Sequence, residues 1–240
     1  MSRPTGKLFG WMLAAVVIAG FSTLGVWQLG RAKQKEAMLA ASQQVLVERT
    51  PLPLSAASDP ARRNEYDWAM GEGRFLDTPA ILLDNQTRAS QPGIRVYRVF
   101  QPAVESAPLM VELGWLPLPG DRRMPGVALP SGEVTVSGLL VAPPSAGIAT
   151  PVATPQADGN LLMIGLDHAV LSAALDMPTL APRVLKLDPA LPLGYTRDLD
   201  ILPNTLPPER HLGYAVQWFG LALAVFITAL LLTLRRRRQR

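Results

Sequence analysis

The chain has 240 residues, of which 48% are hydrophobic and 23 are prolines, and it contains no cysteine. This composition excludes an intrinsically disordered chain and a disulfide-rich scaffold, and the lack of thiolates excludes copper delivery through cysteine. The net charge is +4, yet all 19 acidic residues lie between positions 31 and 210, so the basic excess belongs to the two ends. A mildly acidic middle argues against nucleic acid as a partner.

The first predicted element is a membrane-spanning helix over residues 8–29, which follows a short cytoplasmic segment, residues 1–7. At about 1.5 Å per residue this apolar run covers the roughly 30 Å hydrocarbon core of a bilayer. A cleaved signal peptide is the alternative. The run is longer than the about 7–15 apolar residues of a signal peptide, and it ends in GVWQLGR rather than at a small-residue cleavage site. We therefore expect a retained helix.

The middle of the chain, residues 30–210, alternates short apolar segments with proline and glycine, a pattern typical of strands and turns. Strands are predicted at 66–75, 80–86, 94–102, 109–115, 133–141, 160–166 and 183–188. One helix is predicted at 166–175 with Asp167 as its N-cap. Loops are predicted at the proline-rich stretches 51–60, 142–155 and 202–208. The predicted fold is a mainly antiparallel β (α+β) domain, as a sheet or barrel, flanked by two transmembrane helices.

The second predicted span covers residues 211–234 and precedes a basic tail, residues 235–240, which contains five arginines. Arginine-rich ends of membrane helices stay in the cytoplasm, so we expect both termini to be cytoplasmic and the 30–210 domain to be periplasmic. Basic residues just after the first span oppose this orientation. Long domains translocate with little regard to charge, which favours the tail as the topology signal.

Motifs of the common enzyme classes are missing: the sequence has no G-x-S-x-G, H-E-x-x-H, Walker glycine loop or C-x-x-C. The chain contains two histidines. His168 follows Asp167 at the start of the predicted helix, where one hydrogen-bond partner satisfies an imidazole. These enzyme signatures are therefore absent from the sequence, and we predict a structural role for His168.

His211 heads the second span, and helical spacing places Tyr214 and Trp218 on the same face. This pattern fits an aromatic belt at the membrane interface, and it also fits an axial haem ligand beside apolar rings. Spacing alone favours the belt because aromatic belts are common. At the end of the first span, Trp27 and Arg31 lie four residues apart and suit lipid headgroups or an anionic ligand such as a haem propionate.

Small residues recur at four-residue intervals in both spans, at Ala15, Ala19 and Thr23 in the first and at Gly220, Ala224 and Thr228 in the second. Such spacing favours close helix pairing. Pairing through these two stripes predicts that His211 lies near Trp27 at the outer face of the membrane.

Five segments in order, between two apolar spans, resemble the Surfeit locus protein 1 family of cytochrome c oxidase assembly factors. They are VWQLGRAKQK, GRFLDTPAILLDNQTRASQPGIRVYRVFQP, LMVELGWLPLP, EVTVSGLL and HLGYAVQWFGLALA. The resemblance implies a non-enzymatic protein of the cell inner membrane that works with haem a supply proteins. It also implies help with insertion of haem a into the catalytic subunit of the oxidase.

The resemblance also implies roles for individual residues. His211 matches the family's proposed haem a ligand, Tyr214 and Trp218 match the motif positions that follow it, and Trp27, Gln28 and Arg31 match the motif that ends the first span. Gly73, Pro92, Gly93, Gly114 and Trp115 match domain motifs that we interpret as structural. One departure is Glu112 and Leu113, where the family usually has an Asn-Arg pair.

Two mechanisms follow from these expectations. In the first, His211 supplies one axial bond to haem a, no second strong ligand is evident, and the haem is held transiently before transfer to the oxidase. In the second, the chain is a membrane-anchored structural chaperone that binds an oxidase subunit through its β-domain and never contacts haem. His211→Ala distinguishes the two, because only the first depends on that imidazole.

Overall fold

The computed structural model describes residues 4–145, 147, 149–202 and 205–238. Residues 1–3 of the predicted cytoplasmic segment and residues 239–240 of the predicted basic tail lie outside the described residues. The chain divides into two compact units, which are Met1–Ala40 with Thr205–Arg240, and Ala41–Asn204. We describe each unit by itself.

The described residues form these elements in chain order: α1 (Pro4–Glu48), β1 (Pro51–Pro53), 3₁₀ helices at Leu54–Ser58 and Pro60–Arg62, β2 (Asp67–Phe75), β3 (Ile81–Arg88), β4 (Gln91–Pro102), β5 (Leu109–Pro117), β6 (Val134–Val141), β7 (Thr154–Pro155), β8 (Leu161–Met163), α2 (His168–Ala174), β9 (Val184–Leu187) and α3 (Pro208–Arg238). All seven predicted strands and the predicted helix are present within this set. The Asp167 side chain caps α2 by accepting from the Val170 backbone N–H at 3.0 Å, as predicted.

Two helices in the described part of the chain, α1 and α3, are long and apolar enough to cross a membrane. The predicted span covers residues 8–29, and the helix that contains it, α1, begins at Pro4 and continues to Glu48. Residues 31–48 contain no glycine or proline and are rich in strong helix formers, which explains the extension. Its 45 residues correspond to about 67 Å, so the polar second half extends beyond any single bilayer core.

The described strands form one nine-stranded sheet in the order β1-β2-β6-β9-β5-β4-β3-β8-β7. A further pairing between β2 and β4 closes β2, β6, β9, β5 and β4 into a ring. The pairings are antiparallel except for β1–β2, β3–β8 and β5–β9, which are parallel. This architecture confirms the predicted mainly antiparallel domain flanked by two apolar helices.

Two segments predicted as loops contain short strands instead. β1 and β7 fall within the proline-rich stretches 51–60 and 142–155, and the first stretch also forms 3₁₀ helix. Both strands lie at the two ends of the sheet order. Proline is tolerated on an edge strand because its missing N–H need not pair inward, so the proline signal was misleading here.

Alternate strand residues enter two apolar clusters. On β3, Leu82 joins one cluster, whereas Ile81 and Leu83 join the other. Successive side chains of a strand point to opposite faces, so both faces of the sheet are buried here. This double burial produces the nearly continuous apolar segments that made the strands visible in the sequence.

Close backbone packing explains two of the motif glycines. A Cβ on Gly93 would lie 2.4 Å from the Trp115 ring, which itself donates from Nε1 to the Gln86 carbonyl at 3.2 Å. The β4–β5 register shifts at Leu113, and the next residue, Gly114, has a φ of +128°. These positions therefore have structural reasons for their residue types.

Candidate functional site

The helix unit is an antiparallel pair held by side chains that recur at alternating three- and four-residue steps. On α1 these include Trp11, Ala14, Phe21, Gly25, Gln28, Ala32 and Lys35, and on α3 they include His211, Ala215, Trp218 and Ala222. Trp11 Nε1 donates to Thr233 Oγ1 at 3.1 Å, and the Phe21 and Trp218 rings lie 5.5 Å apart. This spacing is the heptad pattern of coiled-coil helix packing.

The predicted small-residue stripes are not the packing surfaces. Ala15, Ala19 and Thr23 are exposed, and Gly220, Ala224 and Thr228 are exposed as well. A strict four-residue period drifts away from a seam that repeats every 3.5 residues, so such stripes leave the interface within about two turns. The helices do pair, but through the heptad positions.

His211 lies on this seam in the first turns of α3 and is 9% exposed. Its Nδ1 is 2.7 Å from Oε1 of Gln28 on α1. Because a carboxamide oxygen only accepts, Nδ1 carries the proton and Nε2 keeps its lone pair. Nε2 is buried and has no hydrogen-bond partner among the described residues. The imidazole is therefore held in the tautomer that leaves Nε2 unprotonated, and this nitrogen is unsatisfied.

The other predicted site residues differ in their burial and their neighbours. Trp218 lies on the seam against Phe21, whereas Tyr214 is 42% exposed and Trp27 is 55% exposed. The sequence predicts that His211 lies near Trp27, but the side chain that contacts His211 is that of the next residue, Gln28. Neighbouring residues of a helix point about 100° apart, so Gln28 faces α3 while Trp27 faces outward.

Two cations accompany His211 on successive turns of α1. Arg31 is exposed and donates to Gln34 Oε1 at 2.9 Å. Lys35 is 7% exposed, and its Nζ donates to the Leu206 carbonyl. Neither cation forms an ion pair with a described residue. The end of the helix pair that holds His211 thus carries positive charge that is not neutralised within the described chain.

Sequence reasoning gave no separate role to Gln28 or Lys35. Gln28 was visible only as a motif position, and its contact with His211 joins residues 183 positions apart. Lys35 belongs to a basic cluster that looks like an ordinary membrane-edge signal. The one sequence signal that would have found both is the heptad spacing, since positions 21, 28 and 35 are separated by seven residues.

The sheet unit explains the departure at Glu112 and Leu113. Glu112 is 3% exposed and accepts hydrogen bonds from Arg95, from Tyr97 Oη at 2.9 Å and from Lys186 Nζ at 3.2 Å. Burial raises the pKa of its carboxyl, but the charges of Lys186 and Arg95 outweigh burial and hold that pKa below its ordinary value. Leu113 is the bulged residue of β5 and belongs to the core. Both residues are therefore parts of the folded interior.

His168 and Asp198 of the sheet unit both have partners within the fold. His168 Nε2 donates to the Leu180 carbonyl at 2.6 Å, which confirms the prediction of an ordinary hydrogen-bonded histidine. Asp198 pairs with Arg88 at 3.0 Å. Across the described residues, no group of three or more histidine, aspartate or glutamate side chains is placed to hold a metal ion.

Sequence comparisons relate the chain to known proteins. The SURF1 family model matches residues 15–223. The chain is similar to the cytochrome oxidase assembly protein SHY1 of Saccharomyces cerevisiae, with 28% identity over 149 residues, which is 59% of this chain and 38% of that protein. It is also similar to a SURF1-like protein of Monosiga brevicollis, with 24% identity over 238 residues, which is 92% of this chain and 85% of that protein. Because the family match covers most of the chain, from the first apolar helix through His211 into the second, the chain belongs to the SURF1 family.

Proposed function

We propose that this chain is a membrane-anchored, non-enzymatic assembly factor for a haem–copper cytochrome c oxidase, and that it holds haem a at His211 before insertion into the catalytic subunit. Family membership and the name of the yeast relative, a cytochrome oxidase assembly protein, support the assembly role. We further propose that the chain lies in the inner membrane with both termini in the cytoplasm. The sheet unit then lies in the periplasm, where haem a supply proteins and the catalytic subunit are its partners.

The observation that carries the haem proposal is the unsatisfied Nε2 of His211. A buried polar atom without a partner costs about 1–3 kcal/mol, and coordination by iron removes that cost. Gln28 supplies the outer hydrogen bond that orients a ligating imidazole and raises its basicity. Nε2 is closed to solvent, so the side chains packed over it must shift when a ligand enters.

The neighbouring residues fit the rest of an amphiphilic macrocycle. Haem a offers a flat apolar ring, an iron that accepts an imidazole and two anionic propionates. Trp218 provides an apolar ring about two turns further along α3. Arg31 and Lys35 provide positive charge without an acidic partner in the described chain. These side chains suit the ring and the propionates respectively.

The site also suits transient binding of haem a. The chain's other histidine, His168, belongs to the sheet unit and already donates to the Leu180 carbonyl. One imidazole therefore acts at the helix pair, and a ligand held by one strong bond is easier to transfer than one held by two. Transfer to ligands of the oxidase subunit replaces that bond.

Purified full-length protein, produced in cells that make haem a, tests the ligand role directly. We expect a bound-haem absorption spectrum from wild type, loss of that spectrum in His211→Ala, and retention in His168→Ala, the matched histidine control. Far-ultraviolet circular dichroism verifies that each variant keeps the helical content of wild type. An unchanged spectrum in His211→Ala refutes the ligand role.

A second measurement distinguishes a chain that binds haem a from a structural chaperone that does not contact haem. Membranes from cells that lack this chain should show a weaker haem a signal in a reduced-minus-oxidised spectrum. If wild type restores the signal and His211→Ala does not, the assembly role and the ligand role hold together. If both restore it, the chain assists assembly through its sheet unit without using His211. If deletion leaves the signal unchanged, the assembly role is wrong.

Gln28 provides a graded test of the same site. Gln28→Leu removes the acceptor for the imidazole N–H, and loss of such an outer hydrogen bond typically costs roughly 10–100-fold in metal affinity. We expect weaker haem retention with a spectrum of the same type as wild type. Gln34→Leu is the matched control, because Gln34 contacts Arg31 rather than the imidazole. Equal retention by the two variants would show that Gln28 does not position His211.

A further inference from the structure

An apolar groove runs along the helix unit between α1 and α3, away from His211. Its volume is about 540 Å³, and small residues such as Gly10, Ala14, Ala224 and Ala229 line it. It extends over residues 10–17 of α1 and 221–233 of α3, which at about 1.5 Å per residue is a length of roughly 10–18 Å. The Trp11–Thr233 hydrogen bond lies at one end. The other end, at Val17 and Leu221, points towards the His211 end of the pair.

The groove and the His211 site share one face of the helix pair. Each of the five candidate site residues lies fourteen residues from a residue that lines the groove: Trp27 from Leu13, Arg31 from Val17, His211 from Val225, Tyr214 from Thr228 and Trp218 from Leu232. Fourteen residues are two heptads, so each residue and its counterpart point to nearly the same side of their helix. The groove therefore continues the His211 face, displaced by about 21 Å along the helices.

The lining of the groove suits a slender apolar occupant, because small side chains alternate with larger apolar ones along it. A single extended hydrocarbon chain fits the narrow space over Ala14 and Ala224. An occupant that also reaches His211 must join a polar, imidazole-binding head to a long apolar tail.

We propose that this groove binds the isoprenoid tail of haem a while His211 binds its iron. This inference rests on the proposed function. The extended farnesyl tail is roughly 15 Å long at standard carbon–carbon bond lengths. The ten residues from His211 to Leu221 cover about 15 Å, so a tail that starts at the edge of the ring reaches the near end of the groove.

The tail site gives selectivity among haems. In a micelle or bilayer the tail is already in an apolar environment, so close packing against the groove rather than the hydrophobic effect supplies the preference. We expect a haem with the tail to bind roughly tenfold more tightly than one without it, since about 1.4 kcal/mol of contact energy gives that ratio.

Titration of purified full-length protein with haem o and haem b tests the proposal. Haem o carries the hydroxyethylfarnesyl tail without the formyl group of haem a, and haem b has neither, so the pair isolates the tail. Ala224→Leu fills the groove, and Ala19→Leu is its matched control. Both alanines are exposed, and the carbonyl of each accepts the hydroxyl of the threonine four residues later at 2.8 Å. Ala19 does not line the groove.

The expected result is tighter binding of haem o than of haem b by wild type and by Ala19→Leu, and loss of that preference in Ala224→Leu through weaker haem o binding. Equal affinity of wild type for both haems overturns the tail site and leaves the His211 role intact. A preference for haem o that survives Ala224→Leu also overturns the tail site. Another surface then accounts for the preference, and the groove holds a lipid chain instead. If neither haem binds to wild type, or if His211→Ala retains haem binding, the proposed function is refuted instead.

Discussion

Replacement of Glu112 by Gln removes the negative charge from a buried cluster while nearly preserving its shape. The carboxylate is 3% exposed and contacts Arg95 and Lys186, which are themselves 5% and 4% exposed. Without it, Lys186 has no acidic partner among the described residues, and Arg95 keeps only the partly exposed Asp198, 3.8 Å away. Breaking one partner of a buried ion pair costs about 3–5 kcal/mol, because the remaining charge stays desolvated. We expect the free energy of unfolding of the sheet unit to fall by about that amount.

A double-mutant cycle separates this effect from a general packing defect. Lys186→Met removes one of the two cations and fills much of the same volume. In Glu112→Gln/Lys186→Met the surplus charge is smaller, so we expect the double variant to recover roughly half of the stability that Glu112→Gln loses. Residues in direct contact couple by about 0.5–3 kcal/mol, so the recovery is measurable.

Hydrogen–deuterium exchange of the full-length protein in detergent is the appropriate assay, since peptides from β4, β5 and β9 report on the sheet unit separately from the helices. Glu133→Gln is the control, because this exposed carboxylate loses the same charge at the surface. Its effect should stay within about 0.5 kcal/mol. The reasoning fails if Glu112→Gln is no more destabilising than Glu133→Gln, or if the two core substitutions are simply additive.

Three further predictions concern the same unit. The pKa of Glu112 is lower in the folded protein than in the unfolded chain, so its stabilising effect is complete above the ordinary glutamate pKa and is lost as the pH falls through the folded value. The acid unfolding of Glu112→Gln below about pH 4 should therefore depend less on pH than that of wild type. Ala89 and Ser90 in the β3–β4 turn have φ values of 47° and 64°, which glycine adopts more readily than other residues. Ser90→Gly should therefore raise the free energy of unfolding, measured by chemical denaturation, by about 1 kcal/mol. A decrease would contradict strain at this turn. A Cβ on Gly138 would lie 2.0 Å from the Lys186 carbonyl oxygen, so Gly138→Ala should cost about 3 kcal/mol in exchange protection of β6 and β9, whereas Gly126→Ala, which has open space, should cost little.

Local chemistry made much of the fold predictable from the sequence. Two long apolar runs predict membrane helices because backbone polar groups in hydrocarbon must be satisfied within the helix. Strands such as β4 and β6 are recognisable as apolar, β-branched segments between turn formers. Asp167 indicates the start of α2 because its side chain accepts a hydrogen bond from a free backbone N–H. His211 was identifiable as a candidate because it precedes an aromatic helical stripe.

The tertiary structure decided which residues meet across long separations in the chain. The contact of His211 with Gln28 spans 183 residues, and those of Glu112 with Arg95 and Lys186 span 17 and 74. No local propensity encodes such pairs, because they depend on the rotation of each helix about the seam and on the order of strands in the sheet. For the same reason the small-residue stripes were a wrong guide to helix pairing, and the proline-rich β1 and β7 became visible only once neighbouring strands offered them an edge.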